Sequence, residues 1–204
     1  MQQFSSFFEE ISEEKFVLLD RYAHLLSEWN TKINLVSRKD IALLKERHLL
    51  PILPAIVLKG WDSIKTVLDV GTGGGIPGIP LSILFPQIHF TLVDSIQKKI
   101  FAVSAMVDAL NLKNVEVICD RVEHIKGVYD AIVGRGVTRF SDFVKQVRPK
   151  LASNHASIIY WTGGDTKTLL PPWLKSKTEV FDLETFFHHT FCETKKILIW
   201  NPPR

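Results

Sequence analysis

The stretch Thr66-Val-Leu-Asp-Val-Gly-Thr-Gly-Gly-Gly-Ile-Pro-Gly78 carries the clearest chemistry in this sequence. A run with strand character enters a turn holding Gly71, Gly73, Gly74 and Gly75, and a helical pattern begins near Ile79. Residues without a Cβ let the backbone approach a ligand closely, and the N–H groups opening the next helix suit a carboxylate or phosphate. Gly73-x-Gly75-x-x-Gly78 meets the dinucleotide fingerprint, although one such match is a weak signal. Asp69, just before the turn, would repel a pyrophosphate and attract a ligand carrying an ammonium and a sulfonium group. Asp94 closes the next strand-like run, Phe90-Thr-Leu-Val-Asp94, where a carboxylate can accept from both hydroxyls of a ribose. That second acid serves NAD and S-adenosylmethionine alike, so Asp69 carries the discrimination, in favour of S-adenosylmethionine. No Gly-Lys-Ser/Thr follows the glycines, which excludes a P-loop.

Positioning such a turn requires an alternation of strands and helices. Short β-rich runs recur at Thr66–Val70, His89–Val93, Val115–Ile118, Tyr129–Val133 and Ser157–Trp161, with further strands at Thr178–Leu183 and Lys196–Trp200. Helical segments at Ile79–Phe85, Gln97–Leu110 and Phe140–Val147 lie between them. The pattern predicts an α/β fold: a Rossmann-like, mostly parallel seven-stranded sheet with helices on both faces. Before it, Phe16, Leu19, Ala23 and Leu26 form one helical stripe, and a second helix is expected over Asp40–Leu50. Residues 1–62 read as a helical extension and residues 63–204 as the Rossmann-like domain, together one compact unit.

The totals agree with a globular chain. Its 204 residues are 46% hydrophobic and 23% charged, enough to bury a core. The apolar segment Leu49–Leu58 is interrupted by Pro51 and Pro54, so no membrane partner is expected, and Glu9, Glu10, Glu13 and Glu14 stand where a signal peptide would stay apolar. Cys119 and Cys192 form neither a disulfide framework nor a zinc quartet, as befits a cytoplasmic protein. His188, His189 and Cys192 lack metal-site spacing, and no metal is expected. The net charge is only +3, but basic residues gather in two segments: Lys32, Arg38, Lys39, Lys45 and Arg47, and then Arg135, Arg139, Lys145, Arg148 and Lys150. Solvated helix faces are the ordinary explanation of either cluster; at one rim together they would make a polyanion-binding surface.

The run Asp69-Val-Gly-Thr-Gly-Gly-Gly-Ile-Pro-Gly-Ile-Pro-Leu81 closely resembles the motif of the RsmG (GidB) family of 16S rRNA guanine-N7 methyltransferases. Trp29-Asn-Thr-Lys-Ile-Asn-Leu35 is similar to its W-N-x-x-x-N-L signature and Arg47-His48 to its R-H pair. Leu92-Val-Asp-Ser95, Arg121-Val-Glu123 and Gly134-Arg-Gly136 continue the series in order. The resemblance implies a Rossmann-like fold, S-adenosyl-L-methionine as donor, and methylation at N7 of one guanine in the 530 loop of 16S rRNA, as free RNA or within the small ribosomal subunit. It places cofactor contacts on Gly71, Ile76, Val122, Glu123 and Arg135; the chemistry above adds Asp69, Gly73 and Asp94. Two departures concern the RNA side. The chain reads Trp161-Thr-Gly-Gly164 where family members often carry Lys-Gly, and Lys195 and Lys196 stand where an Arg is common.

Guanine N7 has a lone pair and no proton, so its attack on a sulfonium methyl needs placement and electrostatics rather than a general base. Arg135 is the expected catalytic group, donating to guanine O6 while leaving N7 free. Asn34, Arg47, His48, Arg121, Arg139 and Lys195 are the candidate RNA contacts. The rival readings are an RNA-binding protein that keeps the methyltransferase fold with little or no turnover, a methyltransferase acting on another RNA, and an NAD-linked oxidoreductase.

Overall fold

Apolar residues in unbroken runs build a sheet covered on both faces, and period-two alternation decides which side chain goes to which face. A computed structural model describes residues 11–37, 40–58, 60–165, 170–187 and 190–202; Glu9, Glu10, Arg38, Lys39, His188 and His189 fall outside the described residues. Seven strands form one sheet: β1 (Thr66–Val70), β2 (His89–Asp94), β3 (Val115–Cys119), β4 (Ala131–Arg135), β5 (Ser157–Gly163), β6 (Thr178–Asp182) and β7 (Lys195–Trp200). Their order is β3-β2-β1-β4-β5-β7-β6. The first five run parallel, whereas β7 is antiparallel to both β5 and β6. Among the described residues the α-helices are α1 (Glu13–Asn30), α2 (Ala55–Leu58), α3 (Gly78–Leu84), α4 (Gln97–Ala109), α5 (Phe140–Val147) and α6 (Pro172–Lys175).

One face buries Val67, Leu92, Val133, Ile159, Trp161 and Ile197 against α1, α3 and α4. The other buries Leu68, Val93, Ile132, Tyr160 and Leu198 against Phe143, Val144 and Val147 of α5. The extension shares the first of these cores: Tyr22, Leu26, Ile52 and Trp61 belong to the same apolar cluster as β1 and β2. Polar ties reinforce that packing. Lys15 Nζ donates to Leu84 O at 2.7 Å, and Trp161 Nε1 donates to Pro51 O at 2.8 Å.

Three expectations about the elements change. The buried stripe of α1 is Leu19, Tyr22, Ala23 and Leu26, while Phe16 is 48% exposed. The i, i+3, i+4, i+7 spacing holds, with Tyr22 supplying the contact assigned to Phe16. The fourth strand starts at Ala131 rather than Tyr129, which makes only an isolated bridge to Leu151. The single helix expected over Asp40–Leu50 is replaced by a tight turn at Ile41–Leu43, a wide π-type turn at Lys45–Leu49 and another tight turn at Leu50–Ile52. Pro51 accounts for the last of these breaks. It has no N–H to offer the carbonyl of Arg47, so regular helix cannot continue and that carbonyl needs a donor from elsewhere.

Candidate functional site

The strand order reverses between β1 and β4, and ligands of open α/β sheets sit beyond the carboxyl ends of strands at such a point. A crevice of about 580 Å³ opens there. Its floor is the glycine turn after β1; Asp94 and Ser95 border it after β2, Arg121, Val122 and Glu123 after β3, and Arg135 and Gly136 at the end of β4.

The turn is held by its own backbone and by two acids. Gly71 N and Thr72 N both donate to Val93 O, at 2.8 and 3.0 Å, which locks the loop to the end of β2. Gly75 adopts φ +91°, and a Cβ there would lie 2.5 Å from Ile79 Cδ1. Gly78 is required for another reason: a Cβ at this position would lie 2.5 Å from Asp69 Oδ2.

Asp69 corrects the sequence reading. It is fully buried and does not border the crevice. Its Oδ2 accepts from Thr72 Oγ1 at 2.6 Å and from Gly78 N at 2.9 Å. The carboxylate therefore braces the turn against the start of α3 rather than facing a ligand's ammonium. Burial pushes its pKa up to about 7, against the lowering effect of the Thr72 and Gly78 hydrogen bonds and with a further upward push from Asp94.

Asp94 does border the crevice. Gly73 N donates to its Oδ2 at 3.0 Å and Ile96 N to its Oδ1 at 2.9 Å, with Lys99 Nζ 3.9 Å away. Each oxygen keeps lone-pair capacity, so the group can still accept from a vicinal diol. Gly71, Gly73, Ile76, Val122, Glu123 and Arg121 all line the same crevice. Gln146 Nε2 donates to Glu123 Oε1 at 2.8 Å and holds its carboxyl below the usual range.

Arg135 differs from its expected role. Its Nη1 donates to His48 O at 3.1 Å and its Nη2 to Arg47 O at 3.0 Å. It thus supplies the donor that Pro51 withholds and clamps the extension to β4. Burial pushes its pKa down to about 10, with Tyr22 and Asp40 opposing, so it stays cationic at neutral pH. The clamp occupies one N–H of each terminal nitrogen, and the side chain borders the crevice as wall rather than as a free finger.

A second cavity of about 230 Å³ adjoins the first, sharing His48, Arg135 and Gly136 with it. Asp40, Trp161, Phe191, Lys195 and Lys196 are among its other walls. The lysine that family members carry after β5 is absent here, yet Lys195 of β7 pairs with Gly163 of β5 and brings a cation to the same edge. Its Nζ lies 5.0 Å from the centroid of the Phe191 ring, and the Arg47 guanidinium lies 5.5 Å from it. Arg47 is ion-paired with Asp40. His48 is pushed down to about 4, chiefly by burial and then by Arg135, and is neutral at physiological pH.

Three candidate RNA contacts border neither cavity: Arg47, whose guanidinium lies over the Phe191 ring, Asn34 and Arg139. Asn34 is exposed and borders neither; its neighbours Leu35 and Val36 border the crevice instead. Arg139 is exposed and paired with Asp142 at 2.9 Å, likewise away from both. Three functional residues escaped the sequence reading. Asn30 Oδ1 accepts from Leu35 N and Val36 N at 2.8 and 2.9 Å and so shapes the segment over the crevice. Its place in Trp29-Asn-Thr-Lys-Ile-Asn-Leu35 was the available signal. Tyr22 Oη donates to Gly74 O at 2.7 Å, and Thr72 carries the hydroxyl that Asp69 needs. No helix among the described residues is long and apolar enough to cross a membrane, and no group of three or more metal-ligating side chains occurs among them.

Comparison with known proteins bears on this geometry. The sequence profile of the rRNA small subunit methyltransferase G (GidB) family matches residues 15–169. A ribosomal RNA small subunit methyltransferase G from Flavobacterium johnsoniae is 40% identical over 203 residues, covering 97% of this chain and 96% of that protein. The protein of that name from Cytophaga hutchinsonii is 39% identical over 203 residues, 97% of this chain and 98% of its own. Among solved structures, the precorrin-6y C5,15-methyltransferase of Geobacter metallireducens aligns with a TM-score of 0.56 at 14% identity, covering 82% of this chain and 91% of that one. The tRNA (m1A58) methyltransferase of Aquifex aeolicus aligns with a TM-score of 0.54 at 15% identity, over 69% and 63% of the two chains. At those identities the structural likeness speaks for the fold alone.

Proposed function

We propose, from the premise that the chain belongs to the rRNA small subunit methyltransferase G family, that it transfers a methyl group from S-adenosylmethionine to N7 of one guanine in the 530 loop of 16S rRNA. The single observation that carries the donor assignment is the crevice at the β1/β4 reversal, floored by the glycine turn and bordered by Asp94. The residues fit that donor. Asp94 offers acceptor capacity to a ribose diol, Val122 offers an apolar wall to a flat base, and the backbone of Gly71 and Gly73 approaches the ligand without side chains between. The donor supplies an electrophilic methyl on a sulfonium.

What this chain contributes is placement. Arg135 fixes residues 47–48 over the strand ends, and Tyr22 and Asp69 fix the glycine turn from behind. A nucleophile with a lone pair and no proton needs little more, since in-line orientation is itself a large share of such a barrier. The absence of a nucleophile–base pair around the crevice among the described residues is consistent with that chemistry. Lys195 at the edge of the second cavity argues against a fold that has lost turnover, because the cation missing after β5 is made good from β7.

The test is methyl transfer from labelled donor to purified small subunits and to naked 16S rRNA, followed by mapping of the label. The expected outcome is label at N7 of a single guanine in the 530 loop. Label on another base, or none on either substrate, contradicts the assignment.

A further inference from the structure

The smaller cavity contains an unsatisfied arrangement of polar atoms. His48 Nε2 is buried with no hydrogen-bond partner, and it faces Asp40 Oδ2 at 3.7 Å, too far for a direct bond. Leaving such a group unpaired in the interior is costly, and native proteins rarely do so without a ligand or water to complete it. The imidazole is neutral. In the tautomer that carries its proton on Nδ1, its Nε2 lone pair and Asp40 Oδ2, the oxygen that Arg47 leaves free, are two acceptors 3.7 Å apart. What completes them is a rigid group with two adjacent donors.

The cavity has further features of a base-binding slot. It is smaller than the donor crevice, about 230 against 580 Å³. It is walled by the Phe191 ring, and the cations of Arg47 and Lys195 lie over that ring, so positive charge stands beside an apolar wall. It opens onto the donor crevice at His48, Arg135 and Gly136.

We infer that this slot reads the target base as guanine, with Asp40 accepting from the N2 amino group and His48 Nε2 from N1–H. The inference rests on the proposed function and adds to it the residues that choose the base. The assignment of edges follows from position. His48 borders both cavities whereas Asp40 borders only the slot, and N2 is the polar group of guanine farthest from N7, which must face the donor. Lys195 then serves O6, leaving N7 unblocked. Adenine presents an acceptor at N1 and no amino group at C2, so it brings no donor to His48 Nε2 or to Asp40 Oδ2. Asp40 and His48 are positioning and specificity groups here, and neither takes a proton from the substrate.

The experiment replaces the target guanine by inosine in a ligated 16S rRNA. Inosine keeps N7, O6 and N1–H and lacks only the N2 amino group. The wild-type protein is expected to methylate inosine roughly ten- to hundredfold less efficiently in kcat/KM, the loss typical of a charged acceptor deprived of its donor. Asp40→Ala should be slower on guanine and treat guanine and inosine alike. Unchanged affinity of Asp40→Ala for S-adenosylhomocysteine establishes that the fold and the donor crevice are intact, and Asp40→Asn, which keeps an acceptor oxygen, should retain part of the discrimination. Equal rates on guanine and inosine with the wild-type protein overturn the inference by themselves. So does an Asp40→Ala protein that is slowed equally on both and keeps the wild-type ratio. If the wild-type protein transfers no methyl to the guanine RNA, the proposed function fails first, a result visible before any variant is made.

Discussion

The two cavities share a wall, yet they are built by different means. The donor crevice is floored by the backbone of the glycine turn and ringed by residues at neighbouring strand ends, and it is held by the Gly71 and Thr72 bonds to Val93 and by acids that accept from glycine N–H groups. The slot beside it is made of side chains contributed by distant parts of the chain: Asp40 and His48 from the extension, Trp161 from β5, and Phe191 and Lys195 from the C-terminal segment. A backbone site is fixed by local sequence and tolerates little change. A side-chain site is fixed by packing, and its members can be altered singly. Substitutions should therefore separate the two cavities, except at residues that hold them together.

Arg135 is the chief such residue. Arg135→Ala strands the carbonyls of Arg47 and His48 and should lower stability by about 1.5–3 kcal/mol while damaging donor binding and RNA methylation together. Denaturant unfolding and calorimetry check this, and loss of one activity alone would break the comparison. Gly78→Ala should act on the crevice first. The new Cβ meets Asp69 Oδ2, so overpacking of about 1–3 kcal/mol should accompany weakened S-adenosylhomocysteine binding. Asp94→Ala is the more selective probe. Loss of a charged acceptor should weaken donor binding roughly ten- to hundredfold, while gel-shift affinity for small-subunit RNA stays near wild type.

How far these sites were legible in the sequence follows from the same contrast. The glycine turn, Asp94 and the β1–β5 alternation could be read because the physics that makes them is local: period-two burial, missing Cβ atoms and an acid at a strand end. The role of Asp69 could not be read. Its position fits a ligand-facing carboxylate equally well until Gly78 N and Thr72 Oγ1 are seen to claim it. Arg135 was correctly placed at the end of β4, but its bonds to the carbonyls of Arg47 and His48 depend on how the extension folds back. Single members of the slot, His48 and Lys195, were flagged as RNA contacts, but their assembly with Asp40 and Phe191 had no local signature. Asp40 and Phe191 meet only because β7 inserts antiparallel between β5 and β6 and brings the C-terminal segment to the extension.

Titration offers a finer separation. Asp69 has a raised pKa, so the folded protein holds a proton that the unfolded chain has released, and this contribution to stability fades as pH rises from about 4 to about 7. His48 has a lowered pKa, so the unfolded chain binds the extra proton, and stability from this source grows from about pH 4 towards 6.5. Across that window the two slopes oppose each other and largely cancel. Asp69→Asn should expose a rising slope and His48→Gln a falling one, measured as urea midpoints between pH 4.5 and 6.5. Identical slopes in the two variants would refute the opposed assignment. The smallest effect belongs to Arg139→Ala, whose exposed pair with Asp142 should contribute at most about 0.5 kcal/mol and leave donor binding unchanged.

The central claim is that the turn after β1 and the acid after β2 enclose a sulfonium nucleoside and not a dinucleotide. Isothermal titration of the wild-type protein with S-adenosylhomocysteine and, separately, with NAD tests it most directly. The account predicts saturable binding of S-adenosylhomocysteine and none of NAD; binding of NAD alone would contradict it.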